Sequence, residues 1–147
     1  MIQAVFDFNK SRNNLDLDMT LEANMLREEI QEFWDAKTVA ERLDALIDTE
    51  YVWEGTQIKS SYNTITIPTE LTTGVESSIS LMKKFLRDEL GGNYGKCYEE
   101  AVLIVCRANS LKSYKQDETG KVIKGDIEDA TKSIALMIEE VTKPKSY

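Results

Sequence analysis

The chain has no histidine among its 147 residues. That removes the Ser-His-Asp and Cys-His nucleophile systems, Cys/His zinc sites and His-Asp phosphohydrolase sites. Chemistry here has to run on carboxylates, lysines, tyrosines or a bound ion. Two cysteines are too few for a disulfide framework, and Cys97 and Cys106 do not form a C-x-x-C pair. They read as buried thiols in a reducing cytosol. Two prolines and seven glycines leave few breakers, so composition leans towards helix. The longest apolar runs, such as Ala101 to Cys106, are far too short to span a bilayer. The start lacks the ordered basic, apolar and small-residue regions of a secretory signal. Positive charge is also scarce. Eighteen Lys and Arg face 26 Asp and Glu, for a net −8, which argues against binding a nucleic-acid polymer and means that a phosphate ligand needs local cations.

What is present is helical periodicity. The length suits a single domain, 1–147, with its own core. Helices are expected over 1–11, from an N-cap at Thr20 to about 37, from a cap at Thr38 to about 60, over 75–90, from 97 to about 114 and over 126–142. The β-branched stretch 60–74 reads as a loop or irregular connection with room for one short extended piece, GGNYG as an interruption, and the C-terminal tail as frayed. The class is all-α, a helical bundle of about five or six helices.

The second of these helices carries LREEIQEFWDA, residues 26–36. Leu26, Ile30 and Phe33 share a stripe, and Glu28, Glu29 and Glu32 gather at its edge. Like charges at such spacing cost little in solvent and more when partly buried, where a carboxylate is driven to take a proton. A divalent cation relieves that penalty, and carboxylate oxygens are what Mg²⁺ prefers. The next helix puts Asp44, Asp48, Tyr51 and Gly55 on one face, with Gly55 allowing a backbone or a ligand close. A short connection makes the two helices an antiparallel hairpin, so their acidic faces can adjoin.

These residues resemble a known family. Glu28-Glu29-x-x-Glu32, then Asp44-Ala45-Leu46-Ile47-Asp48 and YVWEGT, is similar to the all-α nucleoside triphosphate pyrophosphohydrolases, the MazG-like and phosphoribosyl-ATP pyrophosphohydrolase-like group. The stretch 108–125, ANSLKSYKQDETGKVIKG, resembles the second signature of the phage and bacterial branch. Residues 61–95 match no part of the pattern. The resemblance implies an α-helical oligomer whose core helices form a four-helix-bundle assembly, a tetramer of two dimers more than a dimer. It implies Mg²⁺- or Mn²⁺-dependent cleavage between the α and β phosphates of a nucleoside triphosphate. Metal ligands by position are Glu29, Glu32 and Asp48, with Glu28 and Glu29 as catalytic acids. The family's second motif is Glu-x-x-Asp, but Ala45 stands three before Asp48. Asp44 is the expected substitute ligand, and Glu41, which begins a literal Glu-x-x-Asp, is the alternative.

Arg107, Lys112, Lys115, Lys121 and Lys124 face only Asp117 and Glu118, a net +3 within a chain of −8. Lys112, Lys121 and Lys124 fit the phosphate-binding string of the resemblance, and Asn109 is placed to bond sugar, base or phosphate. Lys115 reads as a surface lysine. Phe6, Trp34, Tyr51 and Trp53 are candidate base platforms, of which only Tyr51 shares the acidic face. The expected substrate is a purine deoxynucleotide such as dGTP, with dUTP or dCTP next, in the cytoplasm and away from membranes. A helical interaction protein, acidic only for solubility, is the competing expectation.

Overall fold

One helix, α3 (Val39–Asn63), is wrapped by all the others. The computed structural model describes residues 1–11, 15–111 and 129–144. Around α3 stand α1 (Ile2–Ser11), α2 (Met19–Asp35), α4 (Thr69–Leu90), α5 (Tyr94–Ser110) and α6 (Ala130–Thr142), each packed against it. No strand occurs among the described residues, so the class is all-α. No helix among them is long and apolar enough to cross a membrane.

The main core joins Phe33 of α2, Leu43, Leu46 and Ile47 of α3, Met82 and Leu86 of α4, Cys97, Ala101 and Val105 of α5, and Ile134 and Ile138 of α6. Each fully buried Leu, Ile or Phe contributes about 1.5–3 kcal/mol. A smaller cluster holds Leu26, Trp53 and Val75, with Leu71 packed on it. Cys97 is buried and Cys106 half-buried, and burial raises the pKa of both thiols.

The helix boundaries differ from the sequence expectations in instructive ways. Asp18, not Thr20, caps α2, its carboxylate accepting from Leu21 N at 3.1 Å. Helix α4 starts at Thr69 rather than Val75, directly after Pro68 at φ −55°. Proline pre-sets a helical entry, and Leu71 extends the apolar spacing of Val75, Ile79 and Met82 upstream. The threonines lie mostly on the solvent side, where β-branching costs only tenths of a kcal/mol. GGNYG is a tight kink: Gly91 ends α4 at φ +55°, Gly91–Asn93 form one 3-10 turn, and α5 begins at Tyr94. Helix α3 runs to Asn63 and is closed by Thr64 in the left-handed region at φ 55°. The expected end of α5 and start of α6 lie outside the described residues.

Two polar networks fix how helices lie on α3. At the open end of the α2–α3 hairpin, Glu22 and Lys59 are 1% and 4% exposed. Lys59 Nζ lies 2.5 Å from Glu22 Oε1, and Thr56 Oγ1 donates to Oε2 at 3.1 Å. On another side, Glu50 accepts from Tyr98 OH at 2.8 Å and pairs with Lys83 at 3.3 Å, tying α5 and α4 to α3.

Removing one member of the buried pair strands a charge. Lys59→Met is expected to cost about 3–5 kcal/mol in urea unfolding, and Glu22→Leu with Lys59→Met to recover most of it. The Tyr98 phenol is pushed far above the usual tyrosine range by burial first and then by Glu50. An unfolded tyrosine ionises near pH 10, whereas folded Tyr98 keeps its proton. Stability is therefore full below about pH 10 and falls as pH rises further. Tyr98→Phe is expected to shallow that alkaline decline, read as urea midpoints between about pH 9 and about pH 11.

Candidate functional site

The register of α2 on α3 decides which acids meet. Glu22 contacts Thr56 and Lys59 at one end, Leu26 packs with Trp53, and Arg42 Nη1 donates to Ala36 O at 3.3 Å beside the turn. The helices are antiparallel, so Glu28 comes level with Tyr51, and Glu32 with Asp48.

Which flank each residue occupies follows from α4. Trp34 of α2 meets Phe85 of α4 at 5.7 Å between ring centroids, and Ile30 packs against the main core, to which α4 contributes Met82 and Leu86. Glu50 of α3 reaches Lys83 of α4. Two residues along an α-helix turn the direction by about 200°. Glu28 and Glu32 therefore lie roughly opposite Ile30, and Asp48 roughly opposite Glu50. Helix α4 covers one flank of the hairpin, and the carboxylates share the other.

Two elements bound that acidic flank. Helix α1 crosses it away from the turn: Phe8 meets Tyr51 edge-on at 5.6 Å, and Val5 and Asn9 lie over Gly55. What approaches Gly55 is α1. A methyl group there would sit 3.4 Å from Asn9 Nδ2 and 3.6 Å from Val5 Cγ1. Near the turn, the first turn of α6 reaches over, and Thr131 Oγ1 donates to Asp44 Oδ2 at 3.0 Å. Asp48 lies between these two.

The predicted residues differ in setting. Glu28 and Glu32 are exposed, while Asp44 and Asp48 are half-buried. Glu29 lies nearer the seam than expected, at heptad-like spacing with Glu22, Leu26 and Phe33, and its Oε2 is closed off from solvent. A carboxylate charge is costly in such a place unless something compensates it. Glu28, Glu29, Asp44 and Asp48 all take part in interactions within the chain. Tyr51 is 7% exposed, set against Phe8 as a core aromatic is. Trp53 is buried in the smaller cluster, whereas Trp34 is 43% exposed. Asn109 is buried on the last turns of α5. Lys112, Lys115, Lys121 and Lys124 lie outside the described residues. Among the described residues, no three Asp, Glu, His or Cys side chains converge as a ready metal site. The donors fit Mg²⁺ or Mn²⁺ in kind, being hard carboxylate oxygens on one flank with no soft ligand among them.

Glu41 has another task. Thr38 Oγ1 accepts from Glu41 N at 3.1 Å and donates to Glu41 Oε1 at 3.1 Å, while Lys37 N donates to Oε2 at 3.4 Å. This is a variant of the capping box, with the Glu41 carboxylate reaching the N–H of the residue before the N-cap, and it starts α3. The literal Glu-x-x-Asp at Glu41 and Asp44 is thus built on a helix start, and Asp44 is the residue that points along the Asp48 face. Thr131 and the Glu22–Lys59 pair went unread in the sequence. Lys59 carried a signal, since it continues the spacing of Val52 and Thr56 along the buried seam.

Thr38→Ala is expected to cost about 1 kcal/mol, and Glu41→Ala somewhat less. For a chain of this size, that is a fall of about 2–4 °C per kcal/mol in a thermal scan.

Compared with protein-family models, with curated proteins and with solved structures, the chain matches none.

Proposed function

We propose that this chain is a metal-dependent nucleoside triphosphate pyrophosphohydrolase of the MazG-like group. It cleaves a deoxynucleoside triphosphate, with dGTP as the first candidate and dUTP or dCTP next, to the monophosphate and pyrophosphate. The hairpin register supports this reading: the Glu22–Lys59 pair sets it, and helical rise then brings Glu28 and Glu32 of α2 level with Tyr51 and Asp48 of α3, on the side of the hairpin away from α4. Hard carboxylate donors on both helices of the hairpin support a cation site there.

Glu29, Glu32 and Asp48 would hold Mg²⁺ or Mn²⁺, with Asp44 completing the set. Bound there, the ion supplies charge neutralisation at the phosphates and makes a nearby water more acidic. Glu28, which is exposed, would take the proton of the attacking water. The water oxygen adds to the α phosphorus while the bond to the bridging oxygen breaks, and pyrophosphate leaves. Its charge needs cations, and Lys112, Lys121 and Lys124 are assigned that role. Supporting this, their segment follows α5 just beyond Asn109 and precedes Thr131, which bonds Asp44. The assembly is proposed as a homo-tetramer, a dimer of dimers. Exposed Leu81, Phe85, Leu103 and Leu136 are available for subunit contacts.

The competing reading is a helical interaction protein, favoured by the exposure of Glu28 and Glu32. A screen of the eight standard nucleoside triphosphates plus dUTP, scored for pyrophosphate with Mg²⁺ or Mn²⁺, separates the two. The enzyme is expected to cleave at least one. Glu32→Gln and Asp48→Asn are each expected to lower that rate at least ~100-fold while circular dichroism stays unchanged. Full activity in either variant refutes the assignment of that residue, and no pyrophosphate from any substrate favours the interaction protein.

A further inference from the structure

We propose that Thr131 is a positioning residue that aims the Asp44 carboxylate along the acidic flank and so sets the affinity of the site for its divalent ion. The inference rests on the functional reading above, and it concerns a residue which that reading leaves without a role.

Thr131 lies in the first turn of α6, far from Asp44 in sequence. Its Oγ1 donates to Asp44 Oδ2 at 3.0 Å, and both side chains are half-buried. The α6 N-terminus is itself held in place: the Asp129 carboxylate caps it through Lys132 N at 3.1 Å, and Ile134 and Ile138 anchor the helix in the core. The donor therefore sits on a rigid support, and its bond constrains the plane of the Asp44 carboxylate. A hydrogen bond to an ionised carboxylate also favours the charged form, which is the form that binds a cation. Groups that orient metal-binding carboxylates in this way typically cost 10- to 100-fold in metal affinity when removed.

Alternative explanations of the bond make different predictions. If it merely docks α6 on α3, deleting the hydroxyl lowers stability and leaves ion affinity alone. If it acts through Asp44, the loss of affinity disappears once Asp44 can no longer bind.

The experiment is a titration of the full chain with MnCl₂, followed by calorimetry and by the shift in melting temperature. It is applied to wild type, Thr131→Val, Thr131→Ser, Asp44→Asn and the double variant Thr131→Val with Asp44→Asn. Thr131→Val is expected to weaken Mn²⁺ binding about tenfold. Thr131→Ser, which keeps the hydroxyl, is expected to bind close to wild type. The double variant is expected to bind no more weakly than Asp44→Asn alone, the signature of one residue acting through the other. Unchanged Mn²⁺ affinity in Thr131→Val overturns the inference and leaves the functional reading intact. Additive losses in the double variant overturn it as well. A wild-type chain that takes up no Mn²⁺ overturns the functional reading and this inference together. Should Thr131→Val fail to fold, a serine variant that binds tenfold more weakly than wild type also counts against the inference.

Discussion

The α2–α3 hairpin is the contact on which everything else depends. Its seam is made of side chains that alternate between apolar and charged: Glu22, Leu26, Glu29 and Phe33 on α2, facing Lys59, Thr56, Trp53 and the Ala45 end of α3. A seam of leucines would stick more strongly and specify less. Here the turn fixes one end through Arg42 and the capped start of α3, and the Glu22–Lys59–Thr56 cluster fixes the other. Between two fixed ends the helices cannot slip or splay far, so the carboxylates in the middle have defined neighbours.

That arrangement brings carboxylates near one another. Glu28, Glu29 and Glu32 crowd one helix, and Asp44 and Asp48 adjoin them from the next. Two acids of the chain show the structural solution to such crowding: Glu22 is neutralised by Lys59, and Glu50 by Lys83 and the Tyr98 hydroxyl. On the acidic flank the described donors near the acids include the Thr131 hydroxyl. Glu22 and Glu50 hold helices together, and so does Asp44 through Thr131, while Glu28 and Glu32 are exposed. Chemistry that requires an anionic surface beside a hydrophobic wall has a place there, and the wall is supplied by Tyr51 and α1.

Much of this was legible in the residues. Apolar spacing located the helices, and the hairpin followed from the short link at Thr38. The acidic faces could be paired because helical geometry is nearly rigid. What was missed had specific causes. Thr69 to Gly74 looks like loop because β-branched and small residues score poorly as helix, yet Leu71 packing on Trp53 overrides the propensity. Glu22 lies in the first turn of α2, where an acid is favourable at any exposed position, yet its spacing to Leu26 and Glu29 puts it on the seam. Gly55 offers room for a backbone or a ligand; of the two it is another segment of the chain, α1, that comes close, and nothing local reveals where a distant helix will cross. Glu41 had a capping role legible in the sequence, since Thr-x-x-Glu at a helix start is a capping signature in its own right. The bond from Thr131 joins α6 to α3, and no local pattern announces a contact of that range.

The central claim is that the acids of α2 and α3 form one cation site on the flank away from α4. Paramagnetic broadening by Mn²⁺ tests this most directly, read from amide signals of the labelled protein as the ion is added in substoichiometric amounts. The account predicts that residues 28–32 and 44–48 broaden first and together, while the Glu22–Lys59 end and the α4 face stay sharp. Broadening spread evenly over the exposed acids, or centred elsewhere, would contradict it.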